Sequence, residues 1–337
     1  MTFGFIGTGN MGGALAAAAA RAENPKQLYL TNRTPAKAER LAAELGANLS
    51  TSEEIAAHCD YIFLGVKPQM MEGMLAPLAE IFAGRETTPV LVTMAAGLDI
   101  AAIQRMAGGK YPVIRIMPNT ACAVGAGMTL YACSAEVTVS QKEGLLQVLS
   151  ASGLLEELEE RLIDAGSAVA GCGGAYACLF LEGLADGGVL CGLPRDTARR
   201  LAAQMLLGNA KLALESGQHT GQLKDAICSP GGTTIAGVRK LEQLGFRSAA
   251  MEAVIAAYEK TLELSVPIPA EVPAGMQLQP ECWLSTDSVQ CTCTGGTLTV
   301  TITARAEGAI LGRSTRQGIG SISLGEALTP ADPEITL

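Results

Sequence analysis

Aromatic residues are scarce in this chain: they make up 4% of its 337 residues, although 48% are apolar. An interior of large rings is excluded, so Ala, Leu, Val, Ile and Met must fill the core. Positive charge is short as well, with 24 Lys and Arg against 33 Asp and Glu and a net charge of −9. No basic stripe offsets that balance, which excludes a nucleic-acid surface but not a local site for a small anion. The ten cysteines include no pair with zinc-knuckle spacing, so reduced thiols and no metal site are expected. No basic segment and cleavage site precede "FGFIGTG", and the longest uncharged run, residues 165–181, is glycine-rich and bounded by Asp164 and Glu182. That run is read as a buried helix, not a membrane span, and the protein as soluble and cytoplasmic. Histidine is nearly absent too: His58 and His219 are the two, and packing is the expected role of both.

What is present begins at once. The apolar "FGFI" (3–6) is followed by Gly7-x-Gly9-x-x-Gly12 and an alanine-rich run with high helix propensity. In that setting the first glycine permits a tight turn and the second lets a pyrophosphate approach the backbone. The third lets helix and strand pack closely, and the helix N-terminus supplies amides and positive dipole. A second strand, "QLYLTNR", follows at the expected distance. It ends in Asn32-Arg33-Thr34 where NAD enzymes commonly carry a carboxylate. An arginine there can pair with a 2′-phosphate, so NADP(H) is preferred, with NAD(H) as the second coenzyme. Thr34 and Gly46 cap the next helix.

Three further apolar strands end in small or polar loops: "DYIFLGVKPQ" (60–69), "TPVLVTMAAGL" (88–98) and "PVIRIMPNTACAVGAG" (112–127). Continuous apolar strands alternating with helices predict a doubly wound parallel α/β sheet. Ligands gather outside the carboxyl ends of such strands, which brings Asn119 to the cofactor edge. From about residue 140 the pattern turns helical, with small residues suited to close helix contacts and an apolar character that predicts an intimate homodimer. Within this half, "CSPGGTTIAGV" (228–238) forms a glycine-rich elbow. Pro230 suits the first turn of a helix, and Gly231 and Gly232 leave amides uncovered for a carboxylate, with hydroxyls from Thr233 and Thr234. An ordinary helix cap on Ser229 is the alternative.

These stretches, with "LADGGVLCGLPRD" and "GQLKDAICSPGGTTIAGVRKLEQLGFRSAAMEAV", resemble the pyrroline-5-carboxylate reductase family over residues 1 to 264. The resemblance implies NAD(P)H-dependent reduction of 1-pyrroline-5-carboxylate to L-proline, the last step of proline biosynthesis. It implies a Rossmann domain (1–150) and a helical dimerisation and substrate domain (151–264). It also implies interwoven dimers that assemble into a ring, with the elbow closing over the partner's nicotinamide site. By position, Ile6, Gly7, Thr8, Gly9, Asn10 and Met11 would cover the pyrophosphate, and Asn32, Arg33 and Thr34 the adenosine phosphate. Leu64, Gly65, Val66, Lys67, Pro68, Met94, Ala95 and Ala96 would flank ribose and nicotinamide. Thr234 would meet the imine nitrogen, the Thr233 and Thr234 amides the substrate carboxylate, and Glu160 the product. Departures from the family are Gly174 for a proline, which implies a softer helix start, Ser52 for a cofactor-contacting asparagine, and Ala226 for another asparagine near the product.

Two rivals were weighed. A β-hydroxyacid dehydrogenase needs a lysine after the glycine cluster, and "AYACLFLEGLADGG" has none. A non-catalytic NADP-sensing dimer makes the same folding demands as a reductase. Residues 265–337 match nothing in the family. "SVPIPAEVPAG" reads as a linker, "QCTCTGGTLTVTITARAEG" as a strand pattern with a Gly-Gly turn and "GEALTPADPEITL" as unstructured; for the whole segment disorder or a loose hairpin is expected, with a small β appendage as the alternative.

Overall fold

Four apolar residues, Phe3–Ile6, form β1 near the middle of an eight-stranded sheet in the computed structural model, which describes residues 1–265, 285–294, 297–307 and 315–323. The chain continues through α1 (Asn10–Ala22), β2 (Leu28–Thr31), α2 (Pro35–Leu45), β3 (Asn48–Leu49), α3 (Ser52–His58) and β4 (Tyr61–Leu64). Two single-turn helices follow, α4 (Met71–Leu75) and α5 (Ala79–Ala83), then β5 (Val90–Thr93), α6 (Ile100–Met106) and β6 (Val113–Pro118). The sheet ends with β7 (Gly127–Cys133) and, after α7 (Val139–Val148), with β8 (Gly153–Glu157).

The strand order is β3-β2-β1-β4-β5-β6-β7-β8, and every pair is parallel except β6 with β7. The predicted doubly wound sheet is present, and its order reverses between β1 and β4, where such sheets open a ligand crevice. Alternation sends Phe3, Phe5, Tyr61 and Phe63 into one core and Ile62, Leu64 and Leu91 into the other. Phe5 and Phe63 stack at 4.4 Å and Phe3 lies 5.3 Å from Tyr61, so four of the few aromatics cluster at the sheet's centre. Burial, on opposite faces of the sheet, pushes the Cys59 thiol and the Tyr61 phenol each up to about 12. The Tyr61 hydroxyl donates to the Gln141 carbonyl at 2.8 Å.

Two expectations need correction. The acidic stretch after residue 151 was read as helical, yet residues 153–157 are β8, in parallel register with β7 from Gly127↔Gly153 to Tyr131↔Glu157. Pairing along a neighbouring strand outweighs the helix-like composition of "GLLEE". The uncharged run 165–181 was read as one buried helix. It is split between α8 (Ile163–Ala170) and α9 (Gly173–Leu190), and Ala168 is its one buried residue in the single chain. Glu160–Leu190 has the length and apolarity of a membrane span by composition.

The helical half continues with α10 (Arg195–Ser216), α11 (Thr220–Ile227), α12 (Thr233–Gln243) and α13 (Phe246–Ser265). Helices α9 and α10 meet through small residues: Ala185, Ala198 and Ala202 are buried, and a β-carbon on Gly188 would touch Ala198. By contrast Leu179, Leu190, Leu207 and Leu214 are exposed, Leu190 at 89%. Helix α9 starts at Gly173 without a side-chain cap.

The chain divides into two compact units, residues 1–268 and 269–337. Within the second, β9 (Ser285–Thr294), β10 (Thr297–Glu307) and β11 (Thr315–Ser323) form an antiparallel sheet in the order β11-β10-β9. The strand pattern read in "QCTCTGGTLTVTITARAEG" thus supplies two paired strands, with a third that was not foreseen. The proline-rich linker, the Gly-Gly turn and the closing "GEALTPADPEITL" fall on residues 266–284, 295–296 and 324–337, outside the described residues.

Candidate active site

In-register pairing fixes one edge of the sheet. Ile6 pairs with Thr31 and with Leu64, and Leu64 pairs with Thr93. The chain therefore leaves β1, β2, β4 and β5 at one level, delivering Gly7, Asn32, Gly65 and Met94 side by side. This brings the loops expected to line a dinucleotide to one edge. Strand β6 runs on past them to Pro118, and Asn119 follows.

The glycines of the first loop have different neighbours. A β-carbon on Gly12 would lie 2.1 Å from the Gly7 carbonyl oxygen, and one on Gly65 would lie 2.2 Å from the same atom. Gly7 itself has φ +101 and faces the Gly65 carbonyl. These three positions let backbone pack on backbone. At Gly9 a β-carbon would meet nothing within 4 Å. That open space lies at the N-cap of α1, whose first-turn amides no side chain caps. The Thr8 hydroxyl is buried beside it with no hydrogen-bond partner. An open cradle, free amides and an orphaned hydroxyl suit a pyrophosphate.

Asn32 ties the loop to β2: its Oδ1 accepts from the Thr8 amide at 3.2 Å, and its Nδ2 donates to the Thr34 carbonyl at 3.1 Å. Thr34 is the N-cap of α2 by position, although its side chain makes no capping bond. Arg33 is exposed, with only the Met70 sulfur in reach at 3.8 Å. A pocket of about 320 Å³ opens at Asn32, lined also by Thr31, Pro35, Ser50, Ser52 and Glu53 among others. Glu53 was missed by sequence reasoning: the end of β2 lacks a carboxylate, but the start of α3 supplies one to the same pocket. At the far side of the edge, both ends of the Asn119 carboxamide are engaged. Nδ2 donates to the Ala170 carbonyl at 3.0 Å and Oδ1 accepts from the Met128 amide at 3.3 Å. Its side chain therefore braces the fold at the end of β6.

Glu160 is engaged too. Its Oε1 accepts from the Ile100 amide at 2.7 Å and stands 3.9 Å from the Arg115 guanidinium. Arg115, 3% exposed on β6, pairs with Asp164 at 2.5 Å, and its Nε has no partner. Sequence reasoning missed this arginine, though a lone cation inside "VIRIM" was a legible signal, because a buried charge needs a partner.

The elbow lies elsewhere. Ser229-Pro230-Gly231-Gly232 is a turn closed by the Gly232 amide donating to the Ser229 carbonyl at 3.0 Å, with Gly231 at φ +69. Proline second and a positive-φ glycine third make it type II. Pro230 is therefore in the turn ahead of α12, not in the first turn of the helix, because its fixed φ suits the turn. Gly232 rather than Ser229 is the N-cap, and no side chain caps the α12 amides. Thr233 and Thr234 are exposed there. Among the described residues no hydrogen bond links the elbow to the sheet edge. His58 ends α3, and His219 caps α11 through Nδ1, accepting from the Gly221 amide at 3.1 Å. A second cleft, about 880 Å³ between α9 and α10, is lined by Arg195, Arg199, Asp186 and Glu182 among others and is likewise remote from the glycine loop in sequence and fold.

Comparison with known proteins bears on both halves. Residues 160–264 match the family described as pyrroline-5-carboxylate reductase dimerisation, and residues 2–97 that described as NADP oxidoreductase, coenzyme F420-dependent. The Synechocystis pyrroline-5-carboxylate reductase is 41% identical over 264 residues, 77% of this chain and 97% of that protein. The chain belongs to the pyrroline-5-carboxylate reductase family. The Escherichia coli family member is 40% identical over 265 residues, covering 78% of this chain and 97% of its own. Among solved structures, the Coxiella burnetii reductase has a TM-score of 0.73 at 30% identity, covering 79% of this chain and 99% of that one. The Plasmodium falciparum pyrroline carboxylate reductase, solved with NADP bound, has a TM-score of 0.69 at 33% identity, covering 79% and 98%. Family membership also accounts for the exposed apolar helices, since they lie in the dimerisation segment.

Proposed function

We propose that this chain reduces 1-pyrroline-5-carboxylate to L-proline with NADPH, as a cytoplasmic dimer whose active sites each combine two chains. One observation carries the reading. The chain has a glycine-lined edge suited to a dinucleotide and, apart from it, an uncapped helix start bearing Thr233 and Thr234. Neither is complete alone. The edge offers no carboxylate cradle for the substrate, and the elbow offers no dinucleotide loop.

In the dimer, the residues Ile6 to Met11 hold the pyrophosphate, with the Thr8 hydroxyl turned to it. Arg33, with Asn32, Thr34 and Ser52, meets the adenosine ribose phosphate, which favours NADPH over NADH. Leu64 to Pro68 and Met94 to Ala96 flank the ribose and nicotinamide. The partner's elbow brings the Thr233 and Thr234 amides to the substrate carboxylate, in the way helix starts bind anions. Ser229, Gly231 and Gly232 shape that cradle, and Glu160 borders the product. Dimers of this kind build a ring.

The reduced nicotinamide supplies a hydride when bound. The chain's own work is to hold the imine carbon against it and exclude water. The Thr234 hydroxyl donates a hydrogen bond to the imine nitrogen, which takes up a proton from water as the carbon is reduced. Purified protein mixed with NADPH and the cyclic imine is expected to consume dihydronicotinamide absorbance and yield proline. Binding of NADPH without turnover would overturn the reading and leave a coenzyme sensor.

A further inference from the structure

The one buried cation of the described core, Arg115, lies within strand β6, whose other side chains are apolar or proline. It faces two carboxylates that arrive forty-five and more residues later, on the turn and first helix leaving the sheet. Asp164, in the first turn of α8, takes its NH2 at 2.5 Å, and Glu160 stands 3.9 Å from its NH1. Glu160 also accepts the Ile100 amide, the first of α6, which follows the Met94–Ala96 loop. Four residues along β6 from Arg115, Asn119 donates to Ala170, the last residue of α8. Helix α8 is thus held at both ends by β6 and by Asn119, the residue that follows it at the dinucleotide edge.

This matters because α8 is where the sheet hands over to the dimerisation helices. Ile163 is buried in the sheet's own core, while α13 packs on α8 and α9, the Tyr176 hydroxyl donating to the Ala253 carbonyl at 3.0 Å. The angle of α8 on β6 therefore sets how the sheet hangs from the helical body. We propose that Arg115 is a positioning residue for the reduction: through Asp164 and Glu160 it fixes the sheet against the helices, and so fixes the gap between the dinucleotide edge and the elbow that closes it. The inference rests on the reductase reading above. A guanidinium is suited to this, because its planar fork can hold two carboxylates in fixed directions where an ammonium cannot.

The test uses full-length Arg115→Met, Arg115→Lys and Asp164→Asn, each assayed well below its own melting temperature. Expected for Arg115→Met is an intact dimer by light scattering and NADPH affinity within about twofold of the parent. The KM for the imine should rise about tenfold or more, with a smaller fall in kcat. Arg115→Lys should recover part of the loss, and Asp164→Asn should show the same split in milder form. Should Arg115→Met not fold, Asp164→Asn and Arg115→Lys carry the test. A lowered melting temperature with unchanged kinetics would overturn the proposal, as would NADPH affinity falling in step with KM. Absence of turnover in the parent protein would instead sink the reductase reading. Amide exchange would then judge the anchoring: in Arg115→Met it should rise in residues 163–170 while residues 113–118 stay protected, and no change there would refute it.

Discussion

The carbonyl oxygen of Gly7 stands 2.1 Å from where a β-carbon on Gly12 would sit. No rotamer can relieve that clash, because both partners are backbone. Gly9, two residues from Gly7, has open space at the same position. Gly12→Ala is therefore expected to destabilise the fold by about 1–3 kcal/mol, the usual cost of overpacking. Gly9→Ala should leave the melting temperature unchanged and weaken NADPH about tenfold, because only the ligand needs that space. Thermal melts paired with fluorescence titration separate the two, and equal melting temperatures for both variants would refute the division of roles.

Coenzyme choice should move in opposite directions at Arg33, next to Asn32 in the chain, and at Glu53, which lines the pocket with Asn32. Arg33→Ala removes the exposed cation that follows Asn32 and is expected to cost about 1.5–3 kcal/mol of NADPH recognition while sparing NADH. Glu53→Gln removes the carboxylate beside Asn32 and Ser52 and should raise the ratio of NADPH to NADH efficiency severalfold. The check is kcat/KM with each coenzyme. A shift of the same sign in both variants would contradict the assignment.

Thr234→Ala should lower catalytic efficiency by about one to three decades. More telling is a mixture of Thr234→Ala with Gly9→Glu, which fills the dinucleotide cradle. If elbow and cradle come from different chains, each mixed dimer has one intact site, and subunit exchange at equal amounts should restore about a quarter of parent activity. No recovery, with mixed dimers demonstrated by mass, would mean that each site is built from a single chain and so carries one of the two faults.

Alkaline pH should loosen the sheet. Burial raises the Cys59 thiol from 9.0 and the Tyr61 phenol from 10.0, each to about 12. A raised pKa in the folded state means that the unfolded chain releases these protons first. Their contribution is therefore fully present below pH 9 and is lost as pH climbs through 9 towards 12. Melting temperature should fall over that window, and less steeply in Cys59→Ala/Tyr61→Phe. An identical slope in the double variant would show that other groups govern the alkaline limb.

The sequence made the glycine loop legible because its demands are local: a strand, a turn and a helix within twenty residues. The edge carrying Asn32, Gly65 and Met94 was legible for a related reason, since parallel strands of equal length end together. What escaped was pairing at long range. "GLLEE" looks helical until β7 is beside it, and nothing local says that it will be. Arg115 announced its need of a partner but not which of many carboxylates would answer. Glu53 reaches its pocket from a helix that follows the wrong strand for the usual reading. Residues 165–181 were read as one buried helix, but within this chain they are two helices with Ala168 alone fully buried.

Helices α9 and α10 leave a row of leucines facing solvent, Leu190 almost wholly so. A subunit released at low concentration keeps its sheet but not the surface on which those leucines were selected to rest. Dilution thus acts on this protein as a denaturant, and its measured heat resistance will depend on how much of it is in the tube.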